Sequence, residues 1–159
     1  MGNRGALVGP QGSGKTTLLE NLQPLLHKQG CLPMLLRLNQ HSTRPEKAKC
    51  LDVVVAISAR HFILLDGAEQ LSWWEWQKFK WQIKAAAGLV ITTHRPGRLP
   101  TLHQCQTSFE LFQTLVKGLL PDSGLTERLS LADIYYKRQG NLRLAFLDLY
   151  DLFTRSGAQ

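Results

Sequence analysis

The stretch VGPQGSGKTT, residues 8–17, constrains the chain more than any other. A short apolar run, GALV (5–8), leads straight into its glycines, and leucines at 18, 19, 22, 25 and 26 follow at helical spacing. That order reads as strand, tight loop, helix, with Pro24 inside the helix and Gly30 as its stop. The alternation then continues. LPMLLRLN (32–39) reads as a buried strand, QHSTRP (40–45) as a turn and 46–59 as a helix, although DVVVAI within it has strand propensity. HFILL (61–65) ending in Asp66 has the look of a central parallel strand, a helix is expected over 72–87, and GLVITTH (88–94) is a further buried strand. TLHQCQT (101–107) reads as a last strand before a helix over 108–120 and two short helices, the first opened by Ser130 and Asp133 and closed by Gly140. Strands alternating with helices imply an α/β fold, a mostly parallel five-stranded sheet covered on both faces, with ligands outside the carboxyl ends of the strands. Residues 1–120 form the expected core, and 121–159 a small C-terminal helical lid.

Composition narrows the class. With 159 residues, 43% of them apolar, the chain has the size of one compact domain. No apolar run reaches the roughly 20 residues that span a bilayer, and MGNRGALVGP lacks the apolar stretch of a secretion signal. Ala6 stands where a myristoylation signal has Ser or Thr, so no membrane partner is expected. Cys31, Cys50 and Cys105 are few, scattered and without CxxC spacing, which fits a reducing, cytoplasmic setting and no metal cage. Lys plus Arg exceed Asp plus Glu by 19 to 12, a formal charge of +7 that suits acidic partners such as nucleotides or nucleic acid, or simply a solvated basic surface.

The loop itself carries chemistry. Gly9, Gly14, Lys15 and Thr16 fit G-x-x-x-x-G-K-[ST], with Pro10, Gln11, Gly12 and Ser13 between the glycines and Thr17 after. Glycines let successive N–H groups turn inward onto phosphate oxygens, Lys15 sets a cation on the β and γ phosphates, and Thr16 offers a hydroxyl to Mg²⁺. Asp66, at a strand end, is the candidate second metal holder, acting on Mg²⁺ through water, with helix capping as the plainer role. Gly67 stands where many ATPases with this loop place a catalytic glutamate, so Glu69 is the nearest candidate base, or else a first-turn acid complementing a helix dipole. Thr92, Thr93 and His94 end the next strand; one of them is a candidate to sense γ phosphate or orient water, and strand-end polarity is the alternative. Arg95 and Arg98 flank the RPGR turn and read first as exposed loop arginines.

In these motifs the chain resembles the P-loop ATPases of the division that holds AAA+ and STAND proteins, in element order over nearly all its length. The resemblance implies the three-layer P-loop NTPase sandwich, ATP and Mg²⁺ as cofactors, and ADP as product. LLDGAEQL resembles the second STAND motif, matched at Asp66, Gly67 and Glu69. QGNLRLAFLDLYDLF resembles the AAA+ lid motif, which opens Gly-x-x-Arg; its arginine, here Arg143, contacts the γ phosphate in that family. STAND proteins tend to have proline where Leu142 stands, so the two resemblances point to different branches. No LSGGQ-like signature is present, which argues against a transporter ATPase. The sheet starts at residue 5, so the upstream segment that would hold the base in this family is expected to be missing, and either the chain is a fragment or the base is held elsewhere.

SWWEWQKFKWQIKAAAG holds all four tryptophans. At 100° per residue Trp76, Phe79 and Ile83 fall within roughly 60° of one another, and Trp74 and Trp81 fall together on the opposite side. One face packs on the sheet. The other is a candidate for a protein partner, self-association or stacking of nucleic-acid bases, or for cover by another loop. Three functions follow: ATP hydrolysis driving a lid or partner interface, a nucleotide-binding switch with little hydrolysis, and, last, a small-molecule or nucleotide kinase.

Overall fold

The computed structural model describes residues 3–52, 57–120 and 130–156. They fall into two compact units, one within residues 1–9 and 15–104, the other within 10–14 and 105–159. The first is built on a five-stranded sheet in the order β2-β3-β4-β1-β5, every pairing parallel.

Its strands are β1 (Asn3–Val8), β2 (Leu32–Arg37), β3 (His61–Asp66), β4 (Gly88–Thr93) and β5 (Thr101–Gln104). Between them lie the helices α1 (Lys15–Lys28), α2 (Arg44–Asp52) and α3 (Trp73–Gln82). β4, flanked by β3 and β1, is buried along its whole length, which is why its sequence is a continuous apolar run rather than an alternating one. β5 is short, exposed and at the edge. β2 ends two residues earlier than its apolar run suggests: Leu38 N donates to Asp66 O at 2.9 Å, and Asn39 then accepts from His41 N and starts a turn. α2 occupies the first part of the expected 46–59 helix, and residues 53–56, with most of the DVVVAI run, lie outside the described residues.

Alternation along the strands gives the sheet two apolar faces. Ala6, Val8, Ile63, Leu65, Leu89 and Ile91 pack with Trp76, Phe79 and Ile83 of the α3 segment. The intervening Leu7, Leu64 and Val90 are buried too, and α1, through the fully buried Leu19, packs on β2, β3 and β4. α3 begins at a capping box: Ser72 Oγ accepts from Glu75 N, and the Glu75 carboxylate accepts from Ser72 N at 2.7 Å. That cap fixes the helical phase, so Trp76 and Phe79 turn inward as the 100° spacing predicts. α3 closes in a 3-10 turn at Ile83–Ala85 rather than running to residue 87.

The second unit contains α4 (Phe109–Leu119), α5 (Leu131–Lys137) and α6 (Leu142–Ser156). Phe112 and Val116 of α4 share a core with Leu131, Tyr135, Leu142, Ala145 and Leu149. Ser130 caps α5 by accepting from Asp133 N, and Arg138 ties the α5–α6 turn to Asp148 through two bonds of 2.7 and 2.6 Å. That bidentate pair holds the Asp148 carboxyl below its ordinary range. No helix among the described residues is long and apolar enough to cross a membrane.

Candidate functional site

β1 delivers the chain into the glycine loop, and Gly9 N donates to Thr93 O of β4 at 3.2 Å, so the loop starts out fastened to the neighbouring strand. Ser13 Oγ donates to Pro10 O at 2.8 Å and draws the loop back on itself. Lys15, first residue of α1, is only 8% exposed, and its Nζ donates to Gly9 O at 2.6 Å. Lys15 thus sits at the positive end of the α1 dipole, and the first turn of that helix holds no acidic residue.

Thr16 Oγ1 donates to Asp66 Oδ2 at 2.8 Å, and Thr92 Oγ1 donates to Asp66 Oδ1 at 2.6 Å. Thr92 Oγ1 in turn accepts from Gly67 N at 2.8 Å, which leaves its single proton for the carboxylate. Asp66 therefore has a hydroxyl on each oxygen. The strand register explains this: Leu65 pairs with Ile91, so the next residues, Asp66 and Thr92, fall side by side at the carboxyl ends of β3 and β4. Thr93 points the other way along the pleat, and its hydroxyl donates to Arg95 O at 2.8 Å. Thr92 is thus the β4 residue on the aspartate; counting parity from Asp66 along the paired strands is the signal that finds it.

Thr16 and Asp66 place hard oxygens side by side, 2.8 Å apart, the donor type that would hold Mg²⁺ directly or through its waters. Among the described residues no group of three or more His, Cys, Asp or Glu could enclose a metal. One carboxylate and one hydroxyl suit Mg²⁺ that keeps waters and shares phosphate oxygens, and do not suit a transition-metal cage.

Gly67 has φ 81°, and a Cβ there would overlap the Leu38 carbonyl oxygen. A glutamate directly after Asp66 is excluded on both counts. The acid comes instead from the 3-10 turn Ala68–Gln70: Glu69 Oε1 lies 3.2 Å from His94 Nδ1, and Glu69 Oε2 is buried with no partner among the described residues. Glu69, Thr93, His94 and Arg98 line a cavity of about 380 Å³ with the turn between them. Arg98 donates through Nη2 to Leu71 O and lies over the Trp76 ring at 5.3 Å. Burial pushes its guanidinium down from the ordinary arginine range, while Glu69 nearby pushes it up. Arg98 therefore clamps the β4–β5 turn onto α3, and is no free loop arginine.

In the second unit, Gly12 of the glycine loop has φ 76° and lies so close to Asn141 that a Cβ would overlap its Oδ1. Asn141 Oδ1 also accepts from Leu144 N at 3.2 Å, capping α6. Arg143, two residues on, is exposed and has no ion-pair partner among the described residues. Asn141 was not readable as a site residue from sequence, because its neighbour is 129 positions away.

A parallel sheet in this order, with a glycine loop after β1 and an aspartate ending β3, is the α/β fold of P-loop NTPases. Among solved structures the chain is similar to a RuvB variant from Thermotoga maritima, with a TM-score of 0.56 and 16% identity. The match covers 91% of this chain and 52% of that one, so the chain spans about half of that protein's length. No family model matches the sequence, and no curated protein matches it.

Proposed function

We propose that the chain binds and hydrolyses MgATP as a P-loop ATPase of the AAA+/STAND-like division, working in the cytoplasm and passing the state of its γ phosphate to a C-terminal lid, which holds α5 and α6, or to a partner. The observation that carries this reading is the chain of bonds Thr16–Asp66–Thr92 beside the loop of Lys15. It supplies a phosphate cradle and a Mg²⁺ holder in the order the nucleotide needs, on a fold shared with the AAA+ ATPase RuvB.

In this reading the N–H groups of Gly9–Thr17 and the Lys15 ammonium bind the β and γ phosphates. Thr16 and Asp66 hold Mg²⁺, which when bound neutralises charge that develops on the phosphates. Glu69 takes the proton of the attacking water, and His94, 3.2 Å from its Oε1, holds the carboxylate in place. Thr93 lines the same cavity. Arg143 reads the γ phosphate, supported by Asn141 lying against Gly12 two residues before it. ADP leaves and resets the switch. A second reading, a nucleotide switch with little hydrolysis, is favoured by the exclusion of glutamate at Gly67, since the substitute base hangs from a turn rather than from the strand end.

Phosphate release from ATP and Mg²⁺ by wild type, Lys15→Ala and Glu69→Gln tests the proposal. Turnover lost in both variants, with binding kept in Glu69→Gln, supports hydrolysis by these groups. Tight binding with no turnover in the wild type rejects it in favour of the switch.

A further inference from the structure

The outer face of α3 takes no part in the site above. Trp74 and Trp81 are each 77% exposed and Trp73 61%, although tryptophan is among the costliest side chains to leave in water. Trp74, Lys78 and Trp81 lie at i, i+4 and i+7, so Lys78 stands between two indoles on one stripe about 10.5 Å long. Lys84 follows in the closing 3-10 turn and is exposed as well. The helix's one acid, Glu75, is turned back to the Ser72 cap, so the stripe carries positive charge only. Trp73 meets Trp74 edge-on with ring centroids 4.5 Å apart, which buttresses the Trp74 ring from the side and leaves it largely exposed.

We propose that this stripe is a binding surface for a single-stranded polynucleotide, Trp74 and Trp81 stacking on bases while Lys78 and Lys84 pair with the backbone phosphates. The interleaving decides the class of partner. Buried centres of protein interfaces are depleted in lysine, and their aromatic anchors fill pockets; here a lysine sits at the centre of the stripe, between two indoles that stand proud of a convex helix. Aromatic platforms alternating with cations are the arrangement that suits a strand whose bases and phosphates alternate. The spacing of about 10.5 Å spans about three steps of 3.4 Å along a stacked strand. A duplex hides its base faces and offers the indoles nothing to stack on. The net charge of +7 adds a long-range attraction of the same sign.

The test uses fluorescence anisotropy with a labelled 20-nucleotide thymidylate strand and no ATP, so that its outcome is independent of hydrolysis. Wild type is expected to bind saturably with quenching of tryptophan emission, and to be competed at least tenfold less well by a duplex of equal length. The double variant Trp74→Ala/Trp81→Ala is expected to bind at least tenfold more weakly, and the Phe/Phe pair to stay within about threefold of wild type. Lys78→Ala should weaken binding and lower the salt slope by about one. All of these positions are exposed, and unchanged circular dichroism would show that the fold is kept. Equal binding by wild type and the double Ala variant, no saturable binding by wild type, or a wild-type dimer in sedimentation that the double Ala variant abolishes would each overturn the proposal, the last by making the stripe a contact between copies.

Discussion

Asp66, at the end of β3, has both carboxylate oxygens engaged by threonine hydroxyls, whereas Glu69, in the 3-10 turn that follows, has one oxygen 3.2 Å from His94 and the other buried without a hydrogen-bond partner among the described residues. The two acids are three residues apart and differ in what the fold has left them to do. A carboxylate that accepts a hydroxyl on each oxygen is held in place from both sides. Glu69, with one oxygen beside His94 and a place in the cavity lining, is the acid that the proposed hydrolysis assigns to the water. Gly67 separates the two acids: its left-handed turn against Leu38 O carries the chain out of the strand, and Glu69 comes to line the cavity beside His94.

Four changes probe that contrast, in falling order of size. Lys15→Ala removes the ammonium proposed to bind phosphate, and should weaken nucleotide binding by about a hundredfold or more, as titration with a fluorescent ATP analogue would show. Gly67→Ala puts a Cβ into Leu38 O at φ 81°, and should cost about 2 kcal/mol or more in urea unfolding while displacing Glu69 and so lowering turnover. Thr92→Val strips one hydroxyl from Asp66 and leaves the buried Gly67 N–H unpaired, for a loss of about 1–3 kcal/mol in the same assay. The smallest effect lies away from both acids. Asp148 titrates below its ordinary value of 3.8 in the folded chain because of Arg138, so its contribution is complete above that ordinary value and is lost as pH falls through the lower folded value. Thermal melts of wild type and Arg138→Ala should therefore differ most at neutral pH, by about 2 °C or less, and converge in strong acid.

Much of this site could be read from sequence because it is local. The glycine loop announces itself within ten residues, Asp66 by closing an apolar run, and the two faces of α3 by the 100° step per residue that sets Trp74 and Trp76 about 200° apart. What escaped detection depends on pairing distant segments. Thr92 is chosen over Thr93 by the register of β3 against β4, which a one-residue slip would reverse. The sequence showed that Gly67 is not glutamate but not why, since the Leu38 carbonyl that excludes a side chain comes from another strand. Asn141 beside Gly12 and Arg98 over Trp76 are likewise contacts made only after folding. The helical spacing of residues 46–59 stayed ambiguous because a strand-like VVV sits in it, and α2 occupies only its first part.

The most direct measurement compares Asp66→Asn with Glu69→Gln in one preparation, reading ATP-analogue affinity with and without Mg²⁺ beside phosphate release. If Asp66 holds the cation and Glu69 the proton, Asp66→Asn loses the Mg²⁺-dependent part of the affinity, whereas Glu69→Gln keeps affinity and drops turnover by about 10²-fold or more. Two variants with the same profile, or a Glu69→Gln enzyme that turns over like wild type, would contradict that division of labour.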